Sequence, residues 1–333
     1  PMTSDVINTF AVNIMTEKVH TRFVDTCEVD LAYATPDGLR YRVNVFKQRG
    51  ETGMVMRVIA ADIPSFERLN LPTRVRDLAK EQRGMVLVTG ITGSGKSTTL
   101  ASLINLINTE RAAHIITIED PIEYVFRDHR SVVNQRELGF DTHGFGKALT
   151  SALRQDPDVV LVGEMRNLET IQTGMLAAET GHLVFSTLHT LDAQETINRI
   201  VQMFPPHQQN AVRLQLASIL TAIVSQRLLP RADGRGMIPA VEVLVNTPRI
   251  RDLIADEDRT HEIVDAIKDG THPYGMISFD QSLTELVKRN LITYEVALAA
   301  ATNPDDFALH FRGVQAGGNT GGSGMQIDTG YGG

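Results

Sequence analysis

The sequence predicts an α/β protein: a mostly parallel sheet flanked by helices, preceded by a smaller N-terminal α+β domain and followed by a helical C-terminal part. Three observations carry that prediction. From Val75 onward, short apolar runs alternate with segments of helical periodicity. Residues 1–60 instead show strand-like alternation broken by turn residues. At the start of the α/β part, Gly90-Ile91-Thr92-Gly93-Ser94-Gly95-Lys96-Ser97 joins an apolar strand to a helix start, the context that a phosphate-binding P-loop requires.

Taken in order, residues 4–17 read as a helix and 39–46 and 54–59 as period-2 strands around the turn-rich 48–53. Pro36-Asp37-Gly38 marks another turn. This N-terminal domain is placed at 1–62, and its helix opens so close to Pro1 that the domain is expected to lack its natural beginning. Residues 63–73, with Pro64 and Pro72, read as a linker. The ATPase-type core is placed at 74–312, with candidate strands at 85–89, 114–118, 158–162, 182–187 and 240–245. Beyond Arg312 the composition collapses into Gly, Ser, Thr and Asn, so 313–333 is expected to be a disordered tail.

The chemistry follows from residue types. Glycines let successive N–H groups converge on an anion with a helix N-terminus behind them. Gly90, Thr92, Gly93, Ser94, Gly95, Lys96, Ser97 and Thr98 are therefore the expected nucleotide-binding residues. Lys96 would sit on the β- and γ-phosphates, and the Ser97 hydroxyl would ligate Mg²⁺. The strand at 158–162 runs into Glu164, where a P-loop enzyme keeps an acid near the metal and the attacking water. The strand at 114–118 runs into Glu119 and Asp120, placed to polarise water or hold the metal's hydration shell. Thr187 and His189, at the end of a further strand, read as hydrogen-bonding sensors near the γ-phosphate. ATP and Mg²⁺ are the expected cofactors, with Ser97 and Glu164 as the metal-side residues.

In chain order, the P-loop, "TIEDPIEY" (117–124), "VNQRELG" (133–139), "ALRQDPDVVLVGEMR" (152–166) and "AAETGHLVFSTLHT" (177–190) resemble the secretion-ATPase superfamily. Within it, "GEMR" and "MISFDQSL" (276–283) are similar to the type IV pilus retraction ATPases, although Asn167 stands where they carry an acid. The resemblance implies a RecA-like core and a PAS-like N-terminal domain. It implies a homohexameric ring whose sites are completed by arginines from neighbouring N-terminal domains, here Arg42 and Arg57. Glu119 and Glu164 would share water activation, with His189 beside them. An inner-membrane pilus platform protein (PilC-like) is the implied partner, with a second retraction ATPase (PilU-like) as another; an accessory role of the PilU type, or an assembly or type II secretion ATPase, is the alternative.

Bulk properties narrow the field. Cys27 is the only cysteine, which excludes an internal disulfide and the paired Cys-x-x-Cys zinc element usual in assembly and type II secretion relatives. A lone cysteine also suits a reducing cytoplasm, and the resemblance implies a location at the inner membrane through the pilus machinery. No apolar run approaches the length of a membrane span. With a formal charge of −8 and no tryptophan, the chain offers little for a nucleic-acid track, which argues against a DNA motor. A guanine-reading motif is not found, and a silent nucleotide-gated scaffold is disfavoured by intact Lys96, Ser97, Glu119 and Glu164.

Overall fold

The computed structural model of the chain describes residues 2–59 and 62–318. Its N-terminal part consists of α1 (Ser4–Ile14), α2 (Glu17–Thr26), β1 (Glu28–Ala34), β2 (Arg40–Gln48) and β3 (Glu51–Ile59), with the strands antiparallel in the order β1-β2-β3. The helix expected at 4–17 is two helices, because Thr16 is extended and its side chain accepts from Val19 N–H as an N-cap. Both helices cover one face of the sheet, where Ala11, Phe23, Val29, Leu31, Val43 and Val45 form a small core. The period of 2 sends Arg42, Asn44, Val55 and Arg57 to the other face, where β2 and β3 pair Arg42 directly with Arg57.

The segment expected as a linker is part of the core instead. A 3-10 turn at Phe66–Leu69 packs with Ile63 and Leu71 against the apolar cluster that contains Leu100 and Leu103. The Ser102 hydroxyl donates to the Pro64 carbonyl at 2.7 Å. Prolines at 64 and 72 suggested a spacer, but the apolar residues between them have a surface to bury.

Next come α3 (Thr73–Asp77), β4 (Gly84–Thr89), α4 (Lys96–Glu110), β5 (His114–Glu119), β6 (Val132–Glu137), α5 (Phe145–Ala152), β7 (Val159–Val162) and α6 (Leu168–Glu179). They continue into β8 (Leu183–Leu188), α7 (Ala193–Gln202), α8 (Pro206–Ile219), β9 (Leu220–Pro230) and β10 (Met237–Val245). The seven strands lie in the order β10-β9-β4-β8-β7-β5-β6. All neighbours are parallel except β10, which is antiparallel to β9. Both faces of this sheet are covered: Val86 and Val88 pack with α4, and Met85 and Leu87 with Ile171, Met175, Ile197 and Leu216 on the other side. Burial on both faces is why β4 and β7 read as near-continuous apolar runs.

A helical part closes the chain: α9 (Pro248–Ala255), α10 (Ile263–Asp269), α11 (Phe279–Lys288), α12 (Tyr294–Ala300) and α13 (Pro304–Gly318). Tyr294, Phe307 and Phe311 group with ring centroids 5.2–6.2 Å apart and pack on Leu229 and Ile238 of the β9–β10 hairpin. Helix α13 extends through Gly318, into the segment expected to be a disordered tail; the remainder of that segment, 319–333, lies outside the described residues.

Candidate active site

Parallel strands carry their loops to one edge, and the crevice beyond their C-terminal ends is where ligands sit in such sheets. Here β4 ends in the P-loop, β5 in Glu119, β7 in Glu164 after Gly163, and β8 in His189. A cavity of about 250 Å³ opens between them, lined by Thr92, Gly93, Lys96, Ser97, Glu119, Asp120, Glu123, Glu164, Thr187 and His189, with Arg42 at its rim from the N-terminal sheet.

The P-loop glycines are there for backbone reasons. Gly90 has φ +139°, and a Cβ there would lie 2.4 Å from the Gln226 carbonyl oxygen and 2.6 Å from Ser94 Oγ. Gly95, at φ +90°, is the N-cap of α4. Lys96 is buried, and its ammonium donates to the carbonyls of Gly90 at 2.7 Å and Ile91 at 2.9 Å. Burial lowers its pKa, with Glu123 and Glu164 opposing that shift. Among the described residues Ser94 Oγ and Gln226 Oε1 are buried without a hydrogen-bond partner. A lysine resting on loop carbonyls and a glycine-lined turn at a helix N-terminus together fit a polyphosphate.

Across the cavity, Glu119 Oε1 accepts from the Thr117 hydroxyl at 2.6 Å and the Gln135 amide at 3.1 Å. Burial nevertheless raises its pKa above the usual carboxylate value, against those hydrogen bonds. Glu164 is 8 % exposed and is bridged by Arg166 Nε, with His189 Nε2 at 3.5 Å from the same oxygen. The donor set on offer to a divalent cation is a hydroxyl and carboxylates, all hard oxygens. No group of three or more His, Cys, Asp or Glu suited to a metal occurs among the described residues. The hydroxyl and carboxylate oxygens fit Mg²⁺, which is held by one or two carboxylates plus the substrate's phosphates.

The site residues expected from the sequence divide as follows. Thr92, Gly93, Lys96, Ser97, Glu119, Glu164, His189 and Arg42 meet at the one cavity. Gly90, Ser94 and Gly95 shape the loop behind it. The Thr98 hydroxyl is shared with Tyr124 Oη at 2.9 Å. Arg57 lies one cavity over, with Arg42, Pro121, Glu123 and Tyr124. Thr187 lines the same cavity, and its hydroxyl donates to the Gly163 carbonyl at 2.7 Å. Asn167, the departure from the resembled motif, caps α6 by accepting from Thr170 N–H at 2.9 Å, a position where asparagine serves as well as aspartate. Glu123, Tyr124, Gln135, Arg166 and Gln226 were not singled out from the sequence. Glu123 and Tyr124 lie within "TIEDPIEY", Gln135 within "VNQRELG" and Arg166 within "GEMR", motifs that gave none of them a role of its own.

Comparison with known proteins identifies the family. The profile of the "Type II/IV secretion system protein" family matches residues 35–236. The "Twitching motility protein" of Neisseria gonorrhoeae is 44% identical over 92% of this chain and 82% of its own length. "Type IV pilus ATPase PilU" of Pseudomonas aeruginosa is 41% identical over 93% of this chain and 80% of its own. Among solved structures, that of the pilus retraction motor PilT with bound ADP superposes with a TM-score of 0.84 and 46% identity, covering 90% of this chain and 84% of that one. The chain belongs to the type II/IV secretion system protein family, among its ATPases.

Proposed function

We propose that this chain is the subunit of a homohexameric, ATP-hydrolysing motor that powers type IV pilus retraction and twitching motility. The observation that carries this reading is the meeting of Lys96 with Glu119 and Glu164 in one cavity at the parallel strand ends. Relatives with retraction and twitching in their names, matched over most of the chain, support the biological assignment.

In this reading the P-loop N–H groups receive the phosphates, and the Lys96 ammonium leaves the Gly90 and Ile91 carbonyls for the β- and γ-oxygens. Bound Mg²⁺, held from the protein side by Ser97 and Glu164, supplies charge neutralisation on the phosphates. Glu119 and Glu164 orient the attacking water and take up its proton, with His189 beside Glu164. Arg42 and Arg57 bring positive charge to the γ-phosphate end from the free face of the N-terminal sheet. Two arginines directly opposite each other on a sheet are unfavourable alone; an anion between them removes that cost.

Residues 63–73 pack on the core, so in this reading the N-terminal part rocks against a core that includes them. Six sites turning over in a ring would convert that rocking into movement of an inner-membrane pilus platform protein of the PilC type. The RecA-like and PAS-like names for the two parts, and a place at the cytoplasmic face of the inner membrane, belong to the same proposal. Among the described residues no helix is long and apolar enough to cross a membrane. The PilU-like match favours a second reading, an accessory retraction ATPase that works beside another motor. ATP turnover by the purified chain, beside Lys96→Ala and Glu164→Ala, tests the motor. Restoration of twitching in cells lacking one or other retraction ATPase separates the two readings.

A further inference from the structure

The segment 133–139 lies outside the P-loop and the two carboxylate strand ends, yet it contacts Glu119 and the loop that reaches the phosphate-binding helix. From Asp120 to Ser131 the chain has no regular secondary structure, although Asp120, Glu123 and Tyr124 line the cavity. Backbone groups in such a loop need partners from elsewhere. Strand β6, at the edge of the sheet, pairs with β5 so that Gln135 lies beside Thr117 and Glu137 beside Glu119. Alternation along β6 places 135 and 137 on one face.

Gln135 makes three hydrogen bonds with a single amide. Its Nε2 donates to Glu119 Oε1 at 3.1 Å and to the Tyr124 carbonyl at 2.8 Å, and its Oε1 accepts from Phe126 N–H at 2.8 Å. Holding a carbonyl at 124 and an N–H at 126 is what a neighbouring strand's backbone would do. Tyr124 continues the chain of contacts to Thr98 in the first turn of α4. Glu137, 5 % exposed, accepts from Ile122 N–H at 3.1 Å and fixes the same loop one step nearer the acid.

We propose that Gln135 is the positioning residue of the hydrolytic site: its amide sets the Glu119 carboxylate and ties it to the loop that reaches the phosphate-binding helix. The inference rests on the reading of Glu119 as a water-orienting carboxylate, and it assigns Gln135 no contact with nucleotide or water.

A double-mutant cycle in single-turnover ATP hydrolysis tests it, using the full chain and the variants Gln135→Leu, Glu119→Gln and both together. A residue acting through Glu119 matters only while Glu119 does. Gln135→Leu is expected to lower the rate about tenfold or more, with the ATP concentration at half-saturation within threefold of wild type. In the Glu119→Gln background the same substitution is expected to change the rate less than about twofold. An equal loss in both backgrounds, or no loss in the wild type, would overturn the assignment and leave Glu119's role intact. If Glu119→Gln itself hydrolyses ATP like the wild type, the reading of Glu119 fails and the Gln135 proposal falls with it. Gln135→Met, close in length and uncharged, repeats the cycle if leucine prevents folding; it is expected to show the same non-additivity.

Discussion

The seven-stranded sheet buries both of its faces, whereas the three-stranded sheet buries one, and the two regions place chemistry differently as a result. In the larger sheet every residue of β4, β7 and β8 is buried, and of their polar side chains only Thr187, near the end of β8, lines the cavity. Reactive groups gather at the strand ends and at the start of α4, on backbone positions that the core holds still. In the smaller sheet Val43 and Val45 face the helices while Arg42 and Asn44 face away. Its free face can therefore present charge from mid-strand. The large sheet supplies the P-loop and the acids, and the small one supplies cations from a platform with a core of its own.

Changes on the large-sheet side should have the largest effects. Lys96→Ala is expected to reduce ATP turnover about 10³-fold, measured as steady-state phosphate release, because no other ammonium lines the cavity. A smaller loss, about 10²-fold in kcat with nucleotide affinity little changed, is expected for Arg42→Ala. If Arg42→Ala instead weakens nucleotide binding and spares kcat, the small sheet contributes ground-state binding rather than transition-state charge.

Stability should separate the regions too. Leu31→Ala removes a buried side chain from the small core and is expected to cost about 2 kcal/mol there, at the low end for such changes because a three-stranded sheet relaxes readily. Hydrogen exchange should show earlier opening of β1–β3 with the P-loop region unchanged. Simultaneous loosening of both regions would show that they unfold as one unit.

The smallest expected effect is a pH dependence in the large sheet. Glu242 on β10 is 6 % exposed, and burial pushes its pKa up to about 7 from an ordinary value of 4.5, despite the Ala193 N–H that donates to it. Between those values the native state holds a proton that the unfolded chain has released. The stabilisation is therefore complete below about pH 4.5 and is lost as pH rises through about 7. Wild-type thermal midpoints should fall between pH 5 and 8, and Glu242→Gln should flatten that slope by about 1 kcal/mol or more at pH 8.

How much of this was legible in the sequence follows the same division. Strands buried on both faces announce themselves as apolar runs, and the P-loop, Glu119 and Glu164 could be placed at their ends. Strand β9 was not legible, because α8 passes into it at Leu220 without a turn residue and the run from 216 onward fits either helix or strand. Strand β6, "VVNQRE", is a half-exposed edge that is absent from the candidate strands because polar residues interrupt it. Its Gln135 was invisible as a site residue for the same reason: its value lies in three partners brought near by β5–β6 pairing, and no local pattern encodes them. The segment 63–73 shows the opposite error, where prolines suggested a spacer and Phe66 and Leu71 decided the packing.

The most direct test of the central claim is ATP turnover by the purified chain across a concentration series, with particle mass recorded on the same samples. The account predicts that specific activity rises as a six-subunit particle forms, and that Lys96→Ala assembles but does not turn over. A folded chain that binds ATP, forms no six-subunit particle at any concentration and hydrolyses none would contradict it.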